Sequence, residues 1–272
     1  MSGHPPRLQA SDRGGGPVVV LVHGQPGQAA DWREVAGSLE ASNRVVVPDR
    51  PGYGRTGGPA VGMEANAEAL GRLLDDYGVE SATIVGHSFG GGVALALALR
   101  RAELVRGLVL VGSVGTASSL GPQDRVLGLP VLGESLAFTG LAVSRWLLPA
   151  LRRRSTRLPP AVATWLRAVP EPRPNDHSGG RPSTAMWRSF VTEQRALLAE
   201  TPALEAGLGS LRTPTAVVAG CRDRVVPARA TADLAEAIPG AELVWVPGAG
   251  HLVPQEAAGV LVAIIRRYAY DR

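Results

Sequence analysis

Gly86-His87-Ser88-Phe89-Gly90-Gly91 constrains this chain more than any other segment, because of what flanks it. The apolar run Ala82-Thr83-Ile84-Val85 leads in, and Gly92-Val93-Ala94-Leu95-Ala96-Leu97-Ala98-Leu99-Arg100-Arg101 leads out. The outgoing run has helix formers on every face and no proline, which suits a helix buried against a sheet. A Gly-x-Ser-x-Gly between such a strand and such a helix reads as a nucleophile elbow, a strained turn that holds a serine hydroxyl out at the end of a sheet. Its glycines serve where strand and helix backbones come too close for side chains. The pattern alone is weak in a chain with 34 glycines, and Val111-Gly112-Ser113-Val114-Gly115 is a near match, so the flanking segments carry the reading. The helix starts at the serine, so its first N–H groups and positive dipole end face whatever the serine attacks.

A serine hydroxyl is a poor nucleophile at neutral pH. It needs a base, and the base needs a third group to fix its tautomer. Thr215-Ala216-Val217-Val218-Ala219-Gly220 reads as a buried strand followed by the polar loop Cys221-Arg222-Asp223-Arg224, which puts Asp223 just past a strand end. Glu242-Leu243-Val244-Trp245-Val246 reads as the next strand and runs into Pro247-Gly248-Ala249-Gly250-His251. In a parallel sheet Ser88, Asp223 and His251 all emerge at the carboxyl edge, where open α/β sheets place their ligands. Taken singly, Asp223 also fits a helix N-cap or turn former, and His251 a capping or loop histidine. The chain order of serine, acid and histidine favours the catalytic reading.

Two further segments complete a pattern. His23-Gly24-Gln25-Pro26-Gly27 follows the strand Val18-Val19-Val20-Leu21-Val22, and Asp49-Arg50-Pro51-Gly52-Tyr53-Gly54-Arg55-Thr56 follows Arg44-Val45-Val46-Val47. Together with the Ser88 elbow, the Asp223 loop and Gly250-His251, they make the chain resemble the α/β-hydrolase superfamily from about Pro17 to Tyr268, apart from a middle insertion. The resemblance implies an α/β fold, a mainly parallel doubly wound sheet with an inserted helical cap. It also implies a catalytic triad of Ser88, Asp223 and His251 and an oxyanion hole from the backbone N–H groups of Gln25 and Phe89, a pair of aimed donors that a tetrahedral intermediate requires. The Asp49 turn is expected to pack beneath the site without touching substrate. Serine at position 88 argues against the haloalkane dehalogenases and epoxide hydrolases, relatives that use aspartate there. One departure concerns the N-terminus: family members have an antiparallel strand pair before the His-Gly motif, whereas Met1 to Pro17 is rich in Gly, Pro and polar residues, so that edge is expected to be trimmed or frayed.

The alternation of strands and helices breaks over 116–208, where the resemblance implies a helical cap, and residues 1–115 and 209–272 then form the hydrolase core. Helices are expected near Asp31 to Ala41, Met63 to Tyr77, Ser88 to Arg101, Ala228 to Ile238 and Leu252 to Tyr270, with cap helices over Leu141 to Leu151, Pro160 to Val169 and Thr184 to Glu200. Trp146, Trp165, Trp187 and Phe190 are candidates for the wall of a substrate pocket; each also fits ordinary cap core. Pro170 to Gly180 reads as a loop in which His177 is exposed.

All 28 basic side chains are arginine, a composition bias more than a functional choice, and the net charge of +4 gives no ground for nucleic-acid binding. The chain lacks a 20-residue apolar segment, and its polar start lacks the hydrophobic stretch of a signal peptide, which favours a cytoplasmic protein with no membrane partner. Cys221 is the only cysteine, so neither an internal disulfide nor a Cys-based metal cluster can form. The expected activity is that of a serine esterase-like hydrolase acting on a small ester, lactone or similar activated carbonyl, with a small-molecule substrate and no cofactor. Carbon–carbon bond hydrolysis, perhydrolysis and cofactor-free oxygenation on the same triad stay open, as does a non-catalytic small-molecule binding protein, and oligomeric state is not readable.

Overall fold

The computed structural model describes residues 7–139 and 186–270. One seven-stranded sheet runs through it, built from β1 (Gln9–Arg13), β2 (Val18–Val22), β3 (Arg44–Asp49), β4 (Ala82–His87), β5 (Val105–Val111), β6 (Thr215–Gly220) and β7 (Glu242–Val246). The order across the sheet is β1-β3-β2-β4-β5-β6-β7. Only β1 is antiparallel to its neighbour; every other pair is parallel. The inner strands are continuous runs of small and β-branched residues, as a sheet covered on both faces requires.

Side-chain alternation sorts these runs into two cores. Val19, Leu21, Val109, Val111, Ala216 and Val218 face one side, under α1 (Arg33–Leu39) and a C-terminal helix pair, α7 (Val253–Glu256) and α8 (Ala258–Tyr270). Val20, Val22, Ile84, Leu108, Leu110 and Val217 face the other, under α2 (Met63–Asp76), α3 (Phe89–Arg100) and α6 (Ala228–Ala237). The alanine-rich α3 is apolar all round and almost wholly buried. Between β5 and β6 the chain leaves the sheet. This excursion carries α4 (Pro122–Gly128), a helical stretch at 132–139 and the long α5 (Met186–Gly207), which packs on α2 and α3. Trp146, Trp165, His177 and the helices expected at 141–151 and 160–169 lie outside the described residues.

Two expectations need correction. Among the described residues the N-terminal edge carries one strand, and it is not frayed: all five residues of β1 pair with β3. Its polar sequence hides it, since it is held by backbone pairing, by the Arg44 fork on Asp12 (Nη2 to Oδ2, 2.7 Å) and by the Gln9 N–H, which donates to Thr56 Oγ1 at 2.8 Å. The C-terminal helix is also not continuous, because Ala257 breaks it into α7 and α8.

The turn from β4 to α3 brings the start of the helix hard against the end of β2. A Cβ on Gly90 would stand 2.5 Å from the His23 carbonyl oxygen and closer still to that of Val22. Gly90→Ala should therefore destabilise the protein by about 2–4 kcal/mol, the upper range for overpacking against atoms that cannot move aside. Gly15→Ala, where a Cβ meets nothing within 4 Å, should be near neutral. Urea unfolding of the two variants checks this, and equal stabilities would refute it.

Candidate active site

Ser88 ends β4 with φ 54° and ψ −119°, a left-handed conformation rare for any residue bearing a side chain. The fold enforces it. The Ser88 N–H donates to the Val111 carbonyl at 2.9 Å, and the Ser88 carbonyl accepts from Gly91 at 2.9 Å, so the chain reverses within one residue. Gly86 permits the reversal, because a Cβ there would stand 2.6 Å from Gly91 Cα.

Asp223 and His251 meet past the ends of β6 and β7. His251 Nδ1 donates to Asp223 Oδ2 at 2.8 Å, with the aspartate side chain 3% exposed and the imidazole 14%. The other carboxylate oxygen accepts from the N–H groups of Val225 (2.8 Å) and Val226 (3.0 Å), which fixes the aspartate and leaves Oδ2 for the histidine. Gly112, just beyond β5, lies under the pair; a Cβ there would stand 3.2 Å from both Asp223 Oδ2 and His251 Nδ1. Ser88 bonds to Val111, the residue before Gly112, so all three expected residues stand past the carboxyl ends of β4, β6 and β7 at one edge of the sheet, on either side of the end of β5. With Nδ1 committed to the aspartate, Nε2 is the nitrogen left to take a proton.

The His-Gly loop lies against this turn. A Cβ on Gly24 would stand 3.0 Å from Ser88 Cβ, so Gln25 is brought next to the serine, while Phe89 opens α3 with a first-turn N–H that the helix does not pair. The Gln25 side chain donates to the Phe190 carbonyl at 3.3 Å and to Gln194 Oε1 at 3.0 Å, both on α5. Trp187 packs edge-on against Phe138 and under Arg188. The Asp49 carboxylate accepts from the N–H groups of Ala29 (2.8 Å) and Arg55 (3.1 Å), tying the turn beneath the site.

Several residues that sequence reading did not single out line this edge. Arg50 and Glu193 form a buried ion pair, joined by the Tyr53 hydroxyl, which donates to Glu193 Oε2 at 2.7 Å. Burial pushes the Glu193 carboxyl above its ordinary range, against the pull of Arg50. Among the described residues no group of three or more His, Cys, Asp or Glu could hold a metal, no helix is long and apolar enough to cross a membrane, and Cys221 is exposed.

Buried titrating groups make this edge pH-sensitive. His87 donates Nε2–H to the His251 carbonyl at 2.9 Å, and burial, aided by the nearby His251 ring, pushes its pKa down to about 3. Burial and then the Arg50 charge hold His23 well below its ordinary value. Its Nδ1–H donates to the Gly24 carbonyl and its Nε2 accepts from the Arg50 N–H, so a second ring proton has no acceptor. Below about pH 6.5 the unfolded chain protonates both rings and the fold does not, so the stability they contribute above that pH is lost on acidification by about 1.4 kcal/mol per pH unit per histidine. Asp31 works the other way. Burial raises its pKa to about 6, with Asp49 adding to the shift, so its contribution is full below about pH 4 and is lost as pH rises through 6. Unfolding free energy should accordingly fall from pH 7 to pH 5. His87→Gln should remove about one proton from the slope, and Asp31→Asn should add stability above pH 6 and steepen the acid loss. Urea titrations across pH 5 to 8 test this, and a flat profile in the parent protein would contradict it.

Comparison with known proteins agrees with this architecture. A family model for the alpha/beta hydrolase fold matches residues 17–258. A 2-hydroxymuconate semialdehyde hydrolase from Pseudomonas putida is 30% identical over 96% of this chain and 90% of its own. A magnesium-chelatase 30 kDa subunit from Rhodobacter capsulatus is 31% identical over 92% and 86% respectively. Among solved structures, a thermophilic esterase from Thermogutta terrifontis superposes with a TM-score of 0.72 at 26% identity, covering 96% of this chain and 92% of that one. With the sheet order, the elbow and the strand-end residues in place, the chain belongs to the alpha/beta hydrolase fold family.

Proposed function

We propose that this hydrolase cleaves a small ester, lactone or similar activated carbonyl through an acyl-enzyme, with Ser88 as nucleophile, His251 as base and Asp223 as its orienting acid. The observation that carries the reading is the Asp223–His251 hydrogen bond at 2.8 Å beside a serine held at φ 54°. His251 Nε2 takes the Oγ proton as Oγ attacks the carbonyl carbon, and the negative charge on the carbonyl oxygen falls to the backbone N–H groups of Gln25 and Phe89. Collapse of the tetrahedral species breaks the bond to the leaving group, which receives the proton from His251. Water, deprotonated by the same nitrogen, then attacks the acyl carbon and frees Ser88 and the acid. Residues 116–208 act as the cap that shapes the pocket, with Phe190 and Trp187 in its apolar wall. The setting is cytoplasmic and the substrate a small molecule. A second reading, carbon–carbon bond hydrolysis on the same triad, draws on the likeness to 2-hydroxymuconate semialdehyde hydrolase.

A fluorophosphonate probe should label Ser88, and Ser88→Ala should abolish labelling and turnover of a nitrophenyl ester together. Asp223→Asn should fold yet lose on the order of 10⁴-fold in turnover, because an amide favours the wrong His251 tautomer. Mass spectrometry of the labelled protein and steady-state kinetics decide the matter. A label that persists in Ser88→Ala, or an Asp223→Asn variant near full activity, would sink the assignment. Ranking esters, lactones and vinylogous diketones by kcat/KM separates the two readings.

A further inference from the structure

The buried pair Arg50–Glu193 takes no part in the proton relay, and its side chains are 2% and 0% exposed. Removing two charges from water costs several kcal/mol each, so apolar residues would pack this junction at least as well. What an apolar pair could not do is donate. Arg50 Nε gives a hydrogen bond to the His23 carbonyl at 2.9 Å and Nη2 one to the Gly24 carbonyl at 2.8 Å. The Gly24 carbonyl and the Gln25 N–H belong to one planar trans peptide, so holding the oxygen fixes the direction of the N–H on its opposite side. The same guanidinium lies 4.8 Å from the Phe89 ring centroid and 5.0 Å from that of Tyr53. One planar group thus holds the peptide that carries the Gln25 N–H and lies against the ring of Phe89, the two residues whose N–H groups are proposed to bind the oxyanion. Its own orientation is set by α5, through Glu193, while Gln194 and the Phe190 carbonyl hold the Gln25 side chain.

We infer that Arg50, clamped by Glu193 and Tyr53, is a positioning residue that aims the Gln25 N–H at the oxyanion, and that helix α5 thereby completes the catalytic machinery as well as roofing it. The inference rests on the proposed roles of Ser88, Gln25 and Phe89. A donor displaced by about 1 Å, or lost, costs on the order of 10²-fold in rate.

The test uses the full chain, a nitrophenyl ester and phenylboronic acid, which forms a tetrahedral adduct on an activated serine. In the triple variant Arg50→Met, Tyr53→Phe, Glu193→Leu no charge is left unpaired, so the fold is retained at reduced stability. Arg50→Lys is the second variant, for use if the triple fails to fold; it keeps a cation against Glu193 and cannot reach both carbonyls in the same fork. In folded variants, checked by circular dichroism, kcat should fall about 10²-fold with KM little changed. Boronate affinity should fall in step with kcat, while ester binding in the Ser88→Ala background stays as it was, a split that simple loosening of the fold would not produce. A folded variant with kcat within about threefold of the parent, or with its loss confined to KM, overturns the inference and leaves the triad reading intact. A parent protein that turns over ester without a boronate adduct on Ser88 overturns the reading of the site and the inference with it.

Discussion

The contact between the Gly90 backbone and the carbonyls of Val22 and His23 is the constraint on which the rest of the edge depends. It brings the start of α3 against the end of β2, closer than any residue with a side chain allows. Two consequences follow from that distance. The chain must turn from β4 into α3 within one residue, which forces Ser88 into its left-handed conformation and lifts its side chain clear of the sheet. The loop leaving β2 must then run beside that serine, so Gly24 and Gln25 have no other course. Strain at Ser88 is offset by the packing of an all-apolar helix between two layers, which is why the sequence spends so many alanines and leucines on α3.

Polar groups crowded at such an edge must satisfy one another. His87 secures the loop that carries His251 through Nε2, and His23 bridges its own loop and the turn after β3 through a neutral ring whose two nitrogens have different duties. Neutrality is therefore a structural requirement here. A proton added to either ring would bury a charge, and at His23 it would also confront the Arg50 guanidinium and N–H group. The ring proposed to accept a proton during turnover, His251, is the one with the Asp223 carboxylate against its Nδ1.

Much of this could be read from the sequence because its signals are local. Strand runs of Val and Ile, glycines at fixed offsets from a serine, and an aspartate and a histidine each just beyond a strand are signals that each fit within about ten residues. The β1 strand was missed because Gln9-Ala10-Ser11-Asp12-Arg13 has no apolar period; backbone pairing holds it, and backbone pairing leaves no mark on side-chain choice. Arg50 and Glu193 are separated by 143 residues, so no pattern along the chain joins them. A trace of Glu193 was present nevertheless. On α5 it falls on the stripe of Phe190, Leu197, Thr201 and Leu204, where a helical projection expects an apolar residue. A carboxylate on a buried stripe announces a partner without saying where the partner is.

That stripe changes how the insertion relates to the sheet. Were α5 only a roof, its inner face would be apolar and could slide or be exchanged at little cost to the chemistry below. Instead it offers a side-chain amide and a main-chain carbonyl to Gln25, and a carboxylate to Arg50, which in turn holds the carbonyls of the loop that carries Gln25. Such contacts are directional, since a hydrogen bond weakens steeply with misalignment where apolar contact does not. The helix and the loop must therefore share one relative position. Gln194 extends the restraint to α4 by donating to Asp124 at 2.8 Å, so two segments of the insertion are tied to the same few atoms. On the proposed reading, a displacement of α5 reaches the oxyanion donors through these hydrogen bonds. On that reading the shape of the cap and the rate of the reaction are properties of one network.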